Sequence, residues 1–226
     1  MVRFLMASLA LVLWAAPALA DVEGAVGITS DYVDRGLSNS HGHAALQGGV
    51  TWTHESGLFA TLDGSMVDFG DGTDAELNTI AGYEWAGDGW ALVAAAGHTH
   101  YVGAPARAGL DLWEFALAGA LDLDTHQWEA ELIYSPDDGG AGVALYKRIG
   151  VTIPFAGRFA LSPHLGHQGY RHHDRAGPGY WDWGLELSYD LAPATIGIAY
   201  TDTDLGREPG CLCGGRLAAF ITVAFP

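Results

Sequence analysis

From residue 21 onward, apolar and polar side chains alternate at every second position in runs of about ten residues. Short clusters of Gly, Asp, Pro and Ser separate the runs. A period of two belongs to a β-strand whose two faces meet different surroundings, because successive side chains point to opposite sides of the backbone. In the run 113–121, Trp113, Phe115, Leu117 and Leu121 share one face, while Glu114 and small residues share the other. The run 181–191 sends Trp181, Trp183, Leu185, Leu187, Tyr189 and Leu191 one way and Asp182, Gly184, Glu186, Ser188 and Asp190 the other. Twelve segments of strand character follow, at about 22–33, 44–54, 57–67, 74–85, 89–101, 110–121, 126–134, 141–153, 158–171, 180–191, 194–203 and 216–225. Each is close to the length that a tilted strand needs to cross a hydrocarbon core.

The connections between these segments alternate in length. Short ones fall at 55–57, 86–89, 121–125, 154–158 and 191–194, and longer ones at 34–43, 68–74, 102–109, 135–140, 172–179 and 204–215. A membrane barrel has short turns on one side and longer loops on the other. An even strand number returns both termini to the short-turn side, which this pattern assigns to the periplasm.

Aromatic residues gather near the two strand ends, as Trp and Tyr do at membrane interfaces. Tyr32, Tyr101, Trp113, Tyr134, Tyr170, Trp181 and Tyr200 lie toward the long loops. Trp52, Phe59, Trp85, Trp90, Trp128, Phe159, Tyr189 and Phe225 lie toward the short turns. The predicted fold is therefore all-β: a transmembrane, antiparallel, up-and-down β-barrel of about 12 strands, built as one domain over residues 21–226 and surrounded by outer-membrane lipid.

Composition sharpens this picture. Charged residues make up only 16% of the chain, less than a water-exposed surface usually carries, so a large surface faces something other than water. The first twenty residues carry Arg3, an apolar run from Phe4 to Ala16, and Ala18 and Ala20 flanking Leu19. They read as a secretory signal peptide over 1–20 with an A-x-A cleavage site. No later apolar run is long enough for a membrane helix, so any crossing is made by strands. The formal net charge of −17 argues against nucleic acid as a partner.

If the aliphatic rows face lipid, the opposite rows face the interior. Those rows carry Asp31, Arg35, Gln47, Asp63, Glu76, Glu84, Glu114, Glu129, Glu131, Arg148, Asp182 and Glu186 as lumen-lining candidates. Carboxylates dominate, and a water-filled lumen of that kind attracts cations. The same groups could instead pair internally and fill a narrow barrel. Asp31 and Arg35 read as a structural clamp holding the first long loop to the wall.

A second set gathers on the long-loop side: His98, His100, His172, His173, Cys211 and Cys213. These are zinc or copper ligands by type, with the spacing of His98 and His100 suited to chelation. The competing reading is a set of solvated histidines beside two cysteines that oxidise. No resident cofactor is otherwise expected. Hydrolase readings would draw on Ser162 with His164, or on Ser38 with His41 and His43, but no G-x-S-x-G signature accompanies either.

The stretch containing Ser30-Asp31-Tyr32, Arg35-Gly36, Ser38, Gly42, Ala45, Gln47-Gly48-Gly49, His54 and Ser56-Gly57, followed by Val67-Asp68-Phe69-Gly70, resembles the TorF-type family, predicted outer-membrane porins of Gram-negative bacteria. A weaker echo returns in Ala199-Tyr200-Thr201-Asp202-Thr203-Asp204 and in the closing strand. The resemblance implies a barrel with a pore and lends no catalytic residues. Barrels of this kind end on an aromatic residue that the barrel assembly machinery reads; here Ile221, Val223 and Phe225 supply the alternation, and Pro226 follows. Passive passage of a small solute or cation is the expected function, without enzymatic chemistry. The alternatives are a non-conducting barrel that binds a ligand or metal, and an outer-membrane lipid hydrolase. The sequence is silent on solute and oligomeric state.

Overall fold

The computed structural model describes residues 21–105, 109–172, 177–206 and 212–226. The expected signal peptide, His173 and Cys211 lie outside them. In chain order the strands are β1 (Asp21–Thr29), β2 (Val33–Asp34), β3 (Leu37–Ser38), β4 (Ala45–Thr53), β5 (Leu58–Met66), β6 (Ala75–Gly87) and β7 (Trp90–Val102). They continue with β8 (Leu112–Leu123), β9 (His126–Ser135), β10 (Ala144–Phe155), β11 (Phe159–Tyr170), β12 (Tyr180–Asp190), β13 (Ala194–Thr203) and β14 (Arg216–Phe225).

Twelve of these, β1 and β4 to β14, form a closed antiparallel barrel in which each strand pairs with its neighbours in sequence. Closure is made by β1, which pairs β4 on one edge and β14 on the other, with Gly24 opposite both Val50 and Phe225. A closed wall has no free edge, so the strands find their ladder partners within the sheet, as strands in lipid require. Both chain ends of the wall lie at the end that carries the short reversals.

Burial is inverted relative to a water-soluble protein. Leu62, Leu117, Leu132, Leu185, Ile198 and Leu217 are exposed, while Thr51, Ser65, Glu76, Glu131, Gln168 and Asp182 are buried. The buried apolar cluster is small, built around Tyr32, Ala45 and Val67. An outward apolar row is stable in lipid and a liability in water, which gives the period of two its physical meaning here.

Three expectations change in detail. The first segment, expected to run to residue 33, leaves the wall at Thr29, because the next residues turn inward and pair as the separate hairpin β2–β3. The short turn expected at 154–158 contracts to 156–158, since Pro154 joins β10 opposite Ala160. The outer aromatic belt divides by face: Trp113, Tyr134, Trp181 and Tyr200 point outward, whereas Tyr32 is buried inside. Its hydroxyl donates to Glu76 Oε1 at 2.7 Å, a bond that holds the ring in the interior and that lipid could not offer. At the short-turn end Trp52, Trp85, Trp90, Trp128 and Phe225 are exposed outward, while Phe59 turns in and covers Gly82.

Candidate functional site

Twelve strands about 4.8 Å apart and tilted by roughly 40° enclose a backbone cylinder of roughly 24 Å diameter. Side chains alone do not fill such a width. The segment after β1 does much of the filling. Asp31 is buried at its start, where Ser38 Oγ donates to Asp31 Oδ1 at 2.5 Å and Arg216 Nη1, from the first residue of β14, donates to Oδ2 at 3.0 Å. The Tyr32 amide donates to Ser40 Oγ at 2.8 Å, and the Ser38 amide to the Leu212 carbonyl at 3.0 Å. These bonds fold the loop over and send β2–β3 inward.

The tip of that hairpin is Arg35-Gly36, between the paired residues Asp34 and Leu37. Both tip residues have positive φ, 47° and 80°, the backbone of a two-residue hairpin turn whose twist matches its strands. Gly36 lies so close to Thr203 and Asp182 that a Cβ there would collide with both, so glycine is required by space as well as by φ.

Arg35 reaches across the interior. Its Nη2 meets Glu114 Oε1 on β8 at 2.6 Å, and its guanidinium lies 5.0 Å from the centre of the Tyr146 ring on β10. Burial works against the Arg35 charge, but Glu114 and Asp34 together hold it well above its ordinary range. Burial pushes the Asp34 carboxyl up, with Arg35 opposing. Asp138, in the loop after β9, is also pushed up by burial, again opposed by Arg35.

Beneath the tip lies a cavity of about 220 Å³ whose lining includes Asp34, Arg35, Asp63, Glu76, Glu84, Glu114, Glu131 and Asp138. Asn78 Nδ2 donates to Asp63 Oδ1 at 2.9 Å, and Thr99 Oγ1 to Asn78 Oδ1 at 2.6 Å, so a polar row crosses three adjacent strands. Gln47 donates to Ser65 Oγ at 3.1 Å. Glu129 lies 3.8 Å from Arg148, while one oxygen of each of Glu129 and Glu131 is buried without a hydrogen-bond partner. Asp182 is fully buried, accepts from Tyr146 Oη at 3.1 Å and has His164 Nε2 at 3.5 Å. Glu186 is opposite Ser162 in the β11–β12 ladder and half-buried.

Asp31 and Arg35 thus both fasten the loop, but through separate partners, Arg216 and Glu114, at opposite sides of the interior. The sequence reading missed Asp34, Asp138, Tyr146 and Arg216. Asp34 stands beside Arg35 in the chain, yet its approach to Glu114 and Glu131 depends on the loop folding inward, which no local pattern announces.

The remaining candidates do not converge. His98 and His100 point outward from β7: the His98 ring packs on Trp113 with centroids 4.9 Å apart, and His100 Nδ1 is 2.7 Å from Asp111 Oδ2. His172 is exposed, and Cys213 is buried and disulfide-bonded, which removes it as a thiolate ligand. Among the described residues no three His, Cys, Asp or Glu side chains are placed to hold a metal. Ser162 and His164 face the interior, Ser162 Oγ against Thr152 Oγ1 at 3.2 Å, so neither meets lipid on the outer wall. Ser38 is engaged with Asp31, and His41 and His43 are exposed.

The sequence profile of a family described as "Bacterial protein of unknown function (Gcw_chp)" matches residues 15–213. No curated protein matches the chain. Among solved structures, a KdgM porin superposes with a TM-score of 0.62 at 6% identity, covering 92% of this chain and 100% of that one. An outer membrane channel from Pseudomonas putida F1 superposes with a TM-score of 0.54 at 12% identity, covering 93% and 97%. At such identities the likeness is one of fold.

Proposed function

We propose that this chain, which belongs to the Gcw_chp family of bacterial proteins of unknown function, is an outer-membrane porin that passes small cations or small polar solutes through an acidic interior narrowed by its own first loop. The observation that carries this reading is the carboxylate-lined cavity under the Arg35 tip, enclosed by a closed wall with an apolar exterior. Fixed negative charge in a low-dielectric cylinder raises the local cation concentration, and the Arg35 guanidinium among these carboxylates sets what passes beside it.

The long loops then face the outside and both termini the periplasm, the usual arrangement of such barrels. The TorF-type resemblance of residues 30–70 and the porin-like neighbours support the same reading, as a passive channel without catalysis. A second reading has a specific observation behind it. The inward hairpin and the buried groups around Asp182 and Gln168 fill one side of the barrel, as in a closed barrel that binds rather than conducts.

Purified protein reconstituted into a planar bilayer separates the two. A porin gives discrete conductance steps, and in a salt gradient its reversal potential has the sign of cation selectivity. A folded, heat-modifiable barrel that inserts and stays silent refutes the channel.

A further inference from the structure

On the lipid-facing side of β8 to β12 the wall departs from its own rule. Outward positions on the strands are otherwise almost all apolar, yet the chain's one lysine, Lys147, points outward from β10. It is also the one outward-facing lysine or arginine on the wall strands among the described residues. In the ladders Lys147 is opposite Leu132 on β9 and His167 on β11. His167 in turn is opposite Trp181 on β12, their ring centroids 4.6 Å apart. His167 Nδ1 is buried and has no hydrogen-bond partner in the protein. The outward carboxylate on β13, Asp202, is already engaged by Tyr200 Oη at 2.9 Å, and Glu131 and Arg148, beside this row, face the interior.

The next cross-strand row toward the short turns is Gly119, Ala130, Ile149 and Leu165. Its small members leave a furrow in the wall, part of an outer groove of about 610 Å³ that Lys147, His167 and Trp181 border. A second, shallower depression of about 430 Å³ continues from His167 toward the loop end, where Arg171 borders it. A cation placed in the lipid-facing wall is costly unless it reaches an interface or meets an anion there. Lys147 lies three residues inside the long-loop end of β10, in the same cross-strand row as Trp181, a residue type that favours the membrane interface.

We propose that Lys147 and His167 form a binding site for a phosphate of an acylated phosphoglycolipid in the outer leaflet, with one acyl chain lying in the furrow over Gly119 and Ala130. The lysine ammonium and the Nε2–H of His167, whose Nδ1 is buried, donate to phosphate oxygens, Trp181 anchors the interface beside them, and Arg171 meets the more distal polar part of the headgroup. This site rests on the orientation in which the long loops face outward, but not on conduction through the interior.

The test uses the full chain in detergent micelles and native mass spectrometry, with four probes: diphosphoryl lipid A, the same lipid dephosphorylated, phosphatidylglycerol and inorganic phosphate. The expected result is retention of diphosphoryl lipid A at least tenfold above the other three, lost in Lys147→Gln with His167→Gln and largely kept in Lys147→Arg. Heat-modifiable gel mobility establishes that each variant is folded. Equal retention of phosphatidylglycerol, retention of inorganic phosphate alone, unchanged retention in the double variant, or a protein dimer that this variant abolishes would each overturn the site. Orientation is read separately, from labelling of Asp137→Cys by an impermeant maleimide on intact cells. Without labelling, the orientation fails and the lipid site with it; labelling together with lost lipid discrimination removes the site alone. A channel silent in bilayers leaves the lipid result standing.

Discussion

Replacing Arg35 by Ala removes the guanidinium that the first loop carries across the interior to Glu114. The structure fixes two consequences of different size. The first is mechanical. The Arg35–Glu114 pair is 2.6 Å long and its side chains are 14% and 25% exposed, so it is mostly shielded from water. Breaking a buried pair costs about 3–5 kcal/mol, and rehydration of the partly exposed Glu114 brings this to roughly 2 kcal/mol. The hairpin keeps its Asp31, Ser38 and Tyr32 bonds, so the barrel remains folded while the tip loosens. The second consequence is electrostatic. An ion passing about 7 Å from the guanidinium in water feels about 0.6 kcal/mol, which screening at 0.1 M salt halves to about 0.3 kcal/mol. Loss of that term raises cation occupancy and lowers anion occupancy by about 1.6-fold each. The cation-to-anion permeability ratio therefore rises roughly threefold. The assay is the reversal potential of single channels under a salt gradient, comparing the native protein with Arg35→Ala and with Arg35→Lys, which keeps the charge. A potential that does not move in Arg35→Ala, or that moves toward anions, refutes the placement of Arg35 beside the conduction path.

Three further perturbations test other parts of the account. Asp31→Asn weakens the tie between the loop and Arg216 by about 2–3 kcal/mol; trypsin should then cut after Arg35 in folded protein, and a mass map without that cut contradicts the anchor. Because burial pushes Asp34 and Asp138 up, they take protons above the ordinary carboxylate range near pH 4 as the pH falls. Cation selectivity should decline from that point downward, and Asp34→Asn should shift the onset. For stability the sign is opposite: a carboxyl easier to protonate in the folded than in the unfolded state favours folding at low pH, and that contribution is lost as the pH rises through its raised value. Leu185→Arg, at mid-strand on the lipid face of β12, should cost about 2–4 kcal/mol in urea unfolding from bilayers. In a water-soluble protein the same exposed substitution would fall within about 0.5 kcal/mol, so a negligible effect would argue against lipid around this wall.

What the sequence determined by itself was the wall. The side-chain period, the spacing of turn residues and the alternation of connection lengths are local properties, and each wall strand meets the same two environments, lipid outside and a polar interior inside. Leu185 and Glu186 could be assigned to opposite faces from their order in the chain alone, since one residue of displacement reverses the face. The tertiary structure decided what occupies the interior. Asp31 and Arg216 are 185 positions apart and Arg35 and Glu114 are 79 apart; no repeat connects them, and their meeting depends on a polar loop exchanging water for buried ionic and hydroxyl partners. For the same reason Tyr32 turned inward to Glu76 instead of joining the outer belt, and the histidines chosen by type divided between an outward Trp contact and the solvent. Lys147 shows the limit from the other side: its parity alone places it on the lipid face, but only the ladder places His167 beside it and a small-residue furrow next to that row.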